Sequence, residues 1–320
     1  MERQTLTAED GFELAMVRWL PSGTPRAVLQ ISHGMAEYAS RYAPFAEACT
    51  AAGIAVYAHD HRGHGGSIDV TTPRGHYADQ DGWAKVVADL DDVHHRIRAN
   101  HPNVPVFLLG HSMGSFIARA FLVRNPDALA GAIISATGWR TGPLGAAMRF
   151  FARREVRKHG AREPSALMAK LVFGTFNLQF APTRTKFDWL SRDPEQVDLY
   201  VHDPMCGYDC SGKLWDDMLT GVAALEKDED EPARLSKTLP LLCVAGTKDP
   251  TSMGGLGTGQ VAKRYIAAGN PNVTDKRYPG ARHELVNETN RTEVWSDLIQ
   301  WIEAQLPARS KAKSEARPSA

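Results

Sequence analysis

The chain has 320 residues, 43% of them hydrophobic and 23% charged, which is enough for one large domain or a domain with an insertion. Lys plus Arg number 37 and Asp plus Glu number 37, so the formal net charge is zero and the basic excess typical of nucleic-acid binders is missing. No apolar run approaches the roughly 20 residues that cross a bilayer. The opening MERQTLTAEDGFELA lacks the apolar centre of a secretory leader, so a cytoplasmic location is expected.

In chain order, Phe12 to Trp19 alternates apolar and polar residues after Glu9-Asp10-Gly11, which predicts an early hairpin. Ala27–Gly34, Gly53–Asp60, Val104–Gly110, Leu129–Ser135 and Leu239–Gly246 are short apolar runs ending in Gly or a polar residue. Such runs suit strands of a parallel sheet buried on both faces. Between them, Trp83, Val86, Val87, Leu90, Val93 and Ile97 repeat at 3.6 residues and predict an amphipathic helix over Asp81–Asn100. Val294, Trp295, Leu298, Ile299 and Ile302 predict another near the C-terminus. Alternating strands and helices mean an α/β fold with a right-handed, doubly wound sheet. The alternation stops between about Trp139 and Pro232, where helix-like patterns dominate. A helical insertion over the C-terminal edge of the sheet fits that stretch better than a loop. The expected division is therefore a core over 1–138 and 233–306, a helical cap over 139–232 and a disordered polar tail over 307–320. Cys49, Cys206, Cys210 and Cys243 are expected to be reduced packing residues, since Cys206 and Cys210 have no second pair with which to hold zinc.

The run LLGHSMGS, Leu108 to Ser115, places a serine between glycines where a strand ends, and FIARAFLVRN follows as a helix. Strand, Gly-x-Ser-x-Gly and helix make a nucleophile elbow, which leaves the Ser112 hydroxyl exposed above the sheet. A hydroxyl needs a base, and the base needs an acid to orient it. Asp249 follows the strand LLCVAG, and His283 lies in PGARHELVNE before the last helix, so Ser112, Asp249 and His283 occur in the order this elbow uses. An oxyanion would be held by backbone N–H groups of Met113, after the serine, and of Met35, after His33-Gly34.

HGMAEYASRY, HDHRGHGGS, GHSMGS, GTKDP and GARHE together resemble the monoacylglycerol lipase and lysophospholipase group of α/β-hydrolases, also called the serine aminopeptidase S33 family. The resemblance runs from about Gly11 to Leu306, and Phe187 to Gly207 is similar to the cap segment of bacterial members. It implies an α/β-hydrolase fold with a helical cap, cleavage of carboxylic esters through a covalent acyl-enzyme, a small lipid or ester as substrate, and no cofactor or metal. A short-chain esterase, an S33-type peptidase using acids such as Glu155, Glu163 or Asp188, an acyltransferase and a non-catalytic binding protein are the other readings. Glu37 and Arg41 match a Glu and an Arg that line the leaving-alcohol pocket of monoacylglycerol lipases, and their spacing of four lets them meet on one helical face. Val286 departs from the pattern, standing where some glycerol-ester lipases have a second His. The resemblance makes the loop of His59, His61 and His64 structural, with Arg62 and Gly63 holding its turn.

GPLGAAMRFFARREVRKHG can form a helix with Leu144, Met148, Phe151 and Val156 on one side. Arg149, Arg153, Arg154, Arg157 and Lys158 make the remainder basic, so this helix either contacts an anionic bilayer or packs within the cap. Met168, Leu171, Val172, Phe173, Phe176 and Phe180 line an acyl tunnel or form the cap's core. Nothing in the sequence fixes an oligomeric state.

Overall fold

The structure, a computed structural model, describes residues 1–138 and 140–307. Trp139, at the start of the expected insertion, and the tail beyond Pro307 lie outside the described residues. The strands are β1 (Glu2–Thr7), β2 (Glu13–Trp19), β3 (Ala27–Ser32), β4 (Ile54–His59), β5 (Val106–His111), β6 (Gly131–Ser135), β7 (Leu241–Gly246) and β8 (Val273–Tyr278). They form one sheet in the order β1-β2-β4-β3-β5-β6-β7-β8. The hairpin β1–β2 is antiparallel within itself and to β4, and all later pairings are parallel. The expected mostly parallel sheet is therefore present, with one antiparallel edge.

Every residue of β3 to β7 is buried. Side chains alternate between the two faces, which sets the layers. Val28, Val106 and Leu108 point into one cluster, and Leu29, Ile31, Phe107 and Leu109 into the other. The helices are α1 (Ala43–Ala51), α2 (Gly82–Asn100), α3 (Met113–Arg124), α4 (Gly142–His159), α5 (Ala166–Phe173), α6 (Pro194–His202), α7 (Gly212–Glu229), α8 (Leu256–Ala267) and α9 (Arg291–Ala304). α1 and α9 cover the second face through Phe45, Val294, Leu298 and Ile302. α2, α3 and α8 cover the first through Val86, Leu90, Ile117, Phe121, Val261 and Tyr265.

The chain between β6 and β7 carries α4 to α7, as the broken rhythm predicts. α4 packs mainly on α7, and α7 reaches back to α2 and α3. The join is also ionic. Arg119 of α3 donates to Glu229 at the end of α7 through Nε at 2.8 Å and Nη2 at 2.6 Å, and Arg264 of α8 reaches the same carboxylate at 2.7 Å. Glu229 is 2% exposed, so losing either charge there would strand the other away from water.

Two expected elements differ in detail. On α4, Met148 and Phe151 are partly buried against the core cluster, but Leu144 is 66% exposed and Phe150 is 59% exposed. The buried stripe therefore passes through Gly145 and Ala152 and leaves Leu144 off it. Of the six apolar residues taken together after α4, Met168 is fully buried in core and Phe180 packs beside Trp189 and Leu190. Leu171, Val172, Phe173 and Phe176 line the large cavity described below.

Candidate active site

Ser112 sits between the last residue of β5 and the first of α3, with φ 52° and ψ −119°. A non-glycine residue there is strained and persists only because its surroundings hold it. Its N–H donates to Ser135 O of β6 at 3.0 Å, and its carbonyl accepts from Ser115 N at 3.0 Å and Ser115 Oγ at 2.5 Å. Close approach explains the flanking glycine. A Cβ on Gly114 would lie 2.1 Å from Ser32 O and 2.4 Å from His33 O, inside van der Waals contact with the end of β3. The hydroxyl is thus held at the N-terminus of α3, where the helix dipole favours negative charge.

Asp249 and His283 come together from two loops. His283 Nδ1 lies 2.9 Å from Asp249 Oδ1, and that oxygen also accepts from Thr251 N at 2.9 Å. Ser252 Oγ donates to Asp249 Oδ2 at 2.5 Å. Asp249 is fully buried and His283 is 3% exposed. Burial works against the charged imidazole, but the adjacent Asp249 carboxylate and its hydrogen bond outweigh it, so the His283 pKa stands above the ordinary 6.5. Burial likewise opposes the Asp249 charge, yet His283, Ser252 and Thr251 hold its pKa below the usual carboxylate value.

Ser112, His283, Met35 and Met113 all line one cavity of about 1140 Å³. Among the described residues neither the Met35 N–H nor the Met113 N–H has a hydrogen-bond acceptor. An unpaired pair of donors beside a nucleophile is the arrangement that stabilises a tetrahedral oxyanion. Next to Met35, Gly34 N donates to Glu37 Oε1 at 2.5 Å, so the loop carrying the donor is tied down.

Glu37 and Arg41 meet at 2.6 Å, though not on one α-helical face: Glu37 precedes a 3₁₀ turn at Ala39–Tyr42. Arg41 also binds Glu284 through two bonds of 2.8 Å and lies 4.8 Å above the Tyr200 ring, while Tyr42 Oη donates to Glu37 at 3.0 Å. Glu37 and Glu284 line the cavity, and Arg41 is behind them. Burial raises the Glu37 pKa; for Glu284 the bidentate arginine prevails over burial and holds the carboxyl at about 2. Sequence reasoning missed Glu284, whose adjacency to His283 was the available signal. It also missed His111 and Trp189, whose rings lie 4.8 Å and 5.0 Å from that of His283.

The other sequence candidates fall elsewhere. Arg62 makes two bonds of 2.7 Å to Asp89 and one of 2.7 Å to Asp10. Gly63 adopts φ 73° with no room for a Cβ against the His76 backbone, so both residues hold the turn as expected. His33, His59, His61 and His64 pack as a buried cluster, with neighbouring ring centroids between 4.3 and 6.5 Å, and burial keeps all four neutral. Glu155 accepts from Ser165 Oγ at 2.9 Å and Asp188 from Thr185 Oγ1 at 2.5 Å; neither these two nor Glu163 lines the cavity. All four cysteines are free thiols.

Residues 23–290 match the family model described as serine aminopeptidase, S33. The chain is 32% identical over 291 residues to a monoacylglycerol lipase of Mycolicibacterium smegmatis, covering 90% of this chain and 92% of that one. It is 30% identical over 312 residues to the monoglyceride lipase of Homo sapiens, covering 93% and 89%. A thermostable carboxyl esterase from Bacillus coagulans, solved in complex with glycerol, superposes with a TM-score of 0.84 at 25% identity, covering 95% of this chain and 98% of that one. With its eight-stranded sheet, its serine elbow and this match over most of its length, the chain belongs to the serine aminopeptidase S33 family of α/β-hydrolases.

Proposed function

We propose that the protein is a serine hydrolase that cleaves carboxylic esters of the monoacylglycerol or lysophospholipid type through a covalent acyl-enzyme. The observation that carries this reading is the meeting of Ser112, the Asp249–His283 pair and two unpaired backbone N–H groups on one largely apolar cavity. In this reading His283 removes the Ser112 proton as Oγ attacks the ester carbonyl, and the Ser112–carbonyl bond forms. The oxyanion binds the N–H groups of Met35 and Met113. His283 then gives its proton to the leaving alcohol, and water repeats the sequence to release the acid. Asp249 orients the ring and stabilises its charged form.

The apolar walls Leu171, Val172, Phe173, Phe176 and Met218 take the acyl chain, and the alcohol leaves beside Glu37 and Glu284, with Arg41 fixing both carboxylates. The relatives named as monoacylglycerol and monoglyceride lipases support the lipid class. Residues 139–232 act as a cap over this cavity, flanked by the core over 1–138 and 233–306. Among the described residues no helix is long and apolar enough to cross a membrane. In this reading the enzyme works in the cytoplasm and touches anionic bilayers through exposed Leu144 and Phe150 beside the α4 arginines. Absence of co-sedimentation with anionic vesicles at low salt would remove the bilayer contact and leave the hydrolase.

The deciding experiment is turnover of p-nitrophenyl esters with acyl chains of two to sixteen carbons, beside Ser112→Ala. The expected result is turnover that peaks at medium or long chains and a loss on the order of 10⁶ in kcat for Ser112→Ala. A Ser112→Ala protein that keeps a tenth of the activity refutes the nucleophile. Turnover confined to acetyl and butyryl esters refutes the lipid class.

A further inference from the structure

The segment 188–193, between α5 and α6, is laced to the loop that carries His283. His283 N donates to Trp189 O at 3.4 Å, and Glu284 N to Leu190 O at 2.8 Å. Ser191 Oγ donates to Asn287 O at 2.8 Å, and Arg282 Nη1 donates to Ser191 O at 3.0 Å and to Asp188 O. The fully buried Glu288 accepts from both sides: from Arg282 N at 2.8 Å, and from Arg192 N at 3.1 Å and Arg192 Nε at 2.8 Å. These bonds lock together two segments far apart in the chain.

Their effect is to set one ring. Trp189 is 6% exposed, and its centroid is 5.0 Å from that of His283 at an interplanar angle of 45°. His111 packs on the same imidazole at 4.8 Å. Trp189 is itself immobilised: its backbone N–H donates to Asn177 Oδ1 at 2.9 Å, its ring stacks on Phe173 at 5.9 Å and 14°, and Phe176 meets the ring edge-on at 5.1 Å. Asp249 fixes the imidazole at Nδ1 only, and one hydrogen bond leaves a ring free to tilt about it. The two flanking rings remove that freedom and keep water off the imidazole.

We propose that Trp189 is a positioning residue of the reaction, holding and drying the His283 ring, so that the insertion serves proton transfer even for an acyl group too short to need its apolar walls. This rests on the assignment of His283 as the base. It predicts a defect that does not depend on filling the cavity.

The test is kcat and KM for p-nitrophenyl acetate from pH 5 to 9 in the full chain, in Trp189→Leu and Trp189→Phe, with Ser112→Ala alongside. The groups facing the imidazole are Asp249, Glu284, Glu37 and His111, with Arg41 behind the two glutamates, and none of them is altered. Trp189→Leu is expected to lower kcat by about tenfold or more with little change in KM, because a ring displaced by a fraction of an ångström transfers protons poorly. Its acid limb in kcat/KM is expected to move to higher pH, since water reaching the ring favours the imidazolium. Trp189→Phe keeps a ring in place and is expected to fall between Leu and Trp in both readouts. A Leu variant with the wild-type kcat and acid limb overturns the proposal. So does one whose kcat falls with an unmoved limb and no rescue by Phe, which is the signature of a merely structural contact. If the Leu variant does not fold, the Phe variant decides by whether its limb moves up. If Ser112→Ala turns over acetate like wild type, the triad reading fails and this one falls with it. If Ser112→Ala is inactive and the Trp189 variants match wild type, the Trp189 role alone fails.

Discussion

Gly114→Ala tests whether the elbow sets the oxyanion donors. The added Cβ would lie 2.1 Å from Ser32 O, and a Cβ essentially never sits within 3.0 Å of a non-bonded heavy atom, so about 0.9 Å must open between the start of α3 and the end of β3. Neither side yields easily. Ser32 pairs with Gly110 in the sheet, and Ser112 N is bonded to Ser135 O. The two surfaces being pushed apart carry Met35 and Met113, the two proposed donors. Losing one such donor costs about 10² to 10³ in kcat, and a 1 Å misplacement about 10². Overpacking of this kind removes about 1–3 kcal/mol of stability. The expected outcome is a folded protein, a few degrees lower in Tm, with kcat on p-nitrophenyl esters down by about 100-fold or more and KM little changed. Gly269→Ala is the control. Unlike Gly114, which lies within α3, Gly269 has a positive φ of 94°, but its added methyl enters open space. It should cost about 1 kcal/mol of stability and leave kcat untouched. If Gly114→Ala retains kcat within about twofold of wild type while Gly269→Ala behaves as stated, the reasoning about the elbow is wrong.

Neutral His283 is the working form and its pKa is raised, so kcat/KM should fall by half at a pH above 6.5 on the acid side. Asp249→Asn should lower kcat by about 10⁴ and carry that limb below its wild-type position; a limb that stays put would separate Asp249 from the base. Glu37→Ala should reduce kcat on p-nitrophenyl acetate, because Glu37 anchors the Gly34–Met35 loop; a rise in KM confined to glycerol esters would make it a substrate contact alone. Burial depresses the pKa of His33 and His61 well below 6.5, that of His59 to about 3 and that of His64 to about 4. The unfolded chain takes up these protons below pH 6.5 and the folded protein does not, so stability should fall with pH by up to about 1.4 kcal/mol per histidine per unit. Thermal unfolding followed from pH 7.5 to 5 should show Tm dropping steadily, and a flat Tm would contradict it.

The five inner strands were readable because burial on both faces forces continuous apolar runs, and only β3 to β7 are so buried. β8 was not readable: VTDKRY is an edge strand with one partner and only Tyr278 buried, so nothing selects an apolar run. The Ser112, Asp249 and His283 positions were legible because strand ends and local turn chemistry carry them. Trp189 was not. Its partner lies on the far side of β7 and β8 in the chain, and no periodicity within Phe187–Asp193 marks a contact made at that distance. Arg41 was singled out by the resemblance and by its spacing of four from Glu37, yet the pair meets across a 3₁₀ turn, and the bidentate bond to Glu284 joins residues with no local relation.

The insertion leaves the sheet after β6 and returns to β7, and those strands are neighbours, with Ala132 beside Leu241. Its ends are therefore pinned by the core whatever lies between them. The entropy of closing a chain grows only with the logarithm of its length, by about 0.6 kcal/mol per doubling. A longer or shorter excursion at this point hardly changes the stability of the sheet. Changes in the length of the excursion can thus be absorbed at little cost to the sheet. Constraint falls on the points where that excursion meets the core: the stretch 188–193 against the His283 loop, Tyr200 and Gly207 on Ala36 O, and Glu229 between Arg119 and Arg264. A chimaera that keeps these contacts should keep its chemistry, and one that moves the stretch 188–193 should lose it.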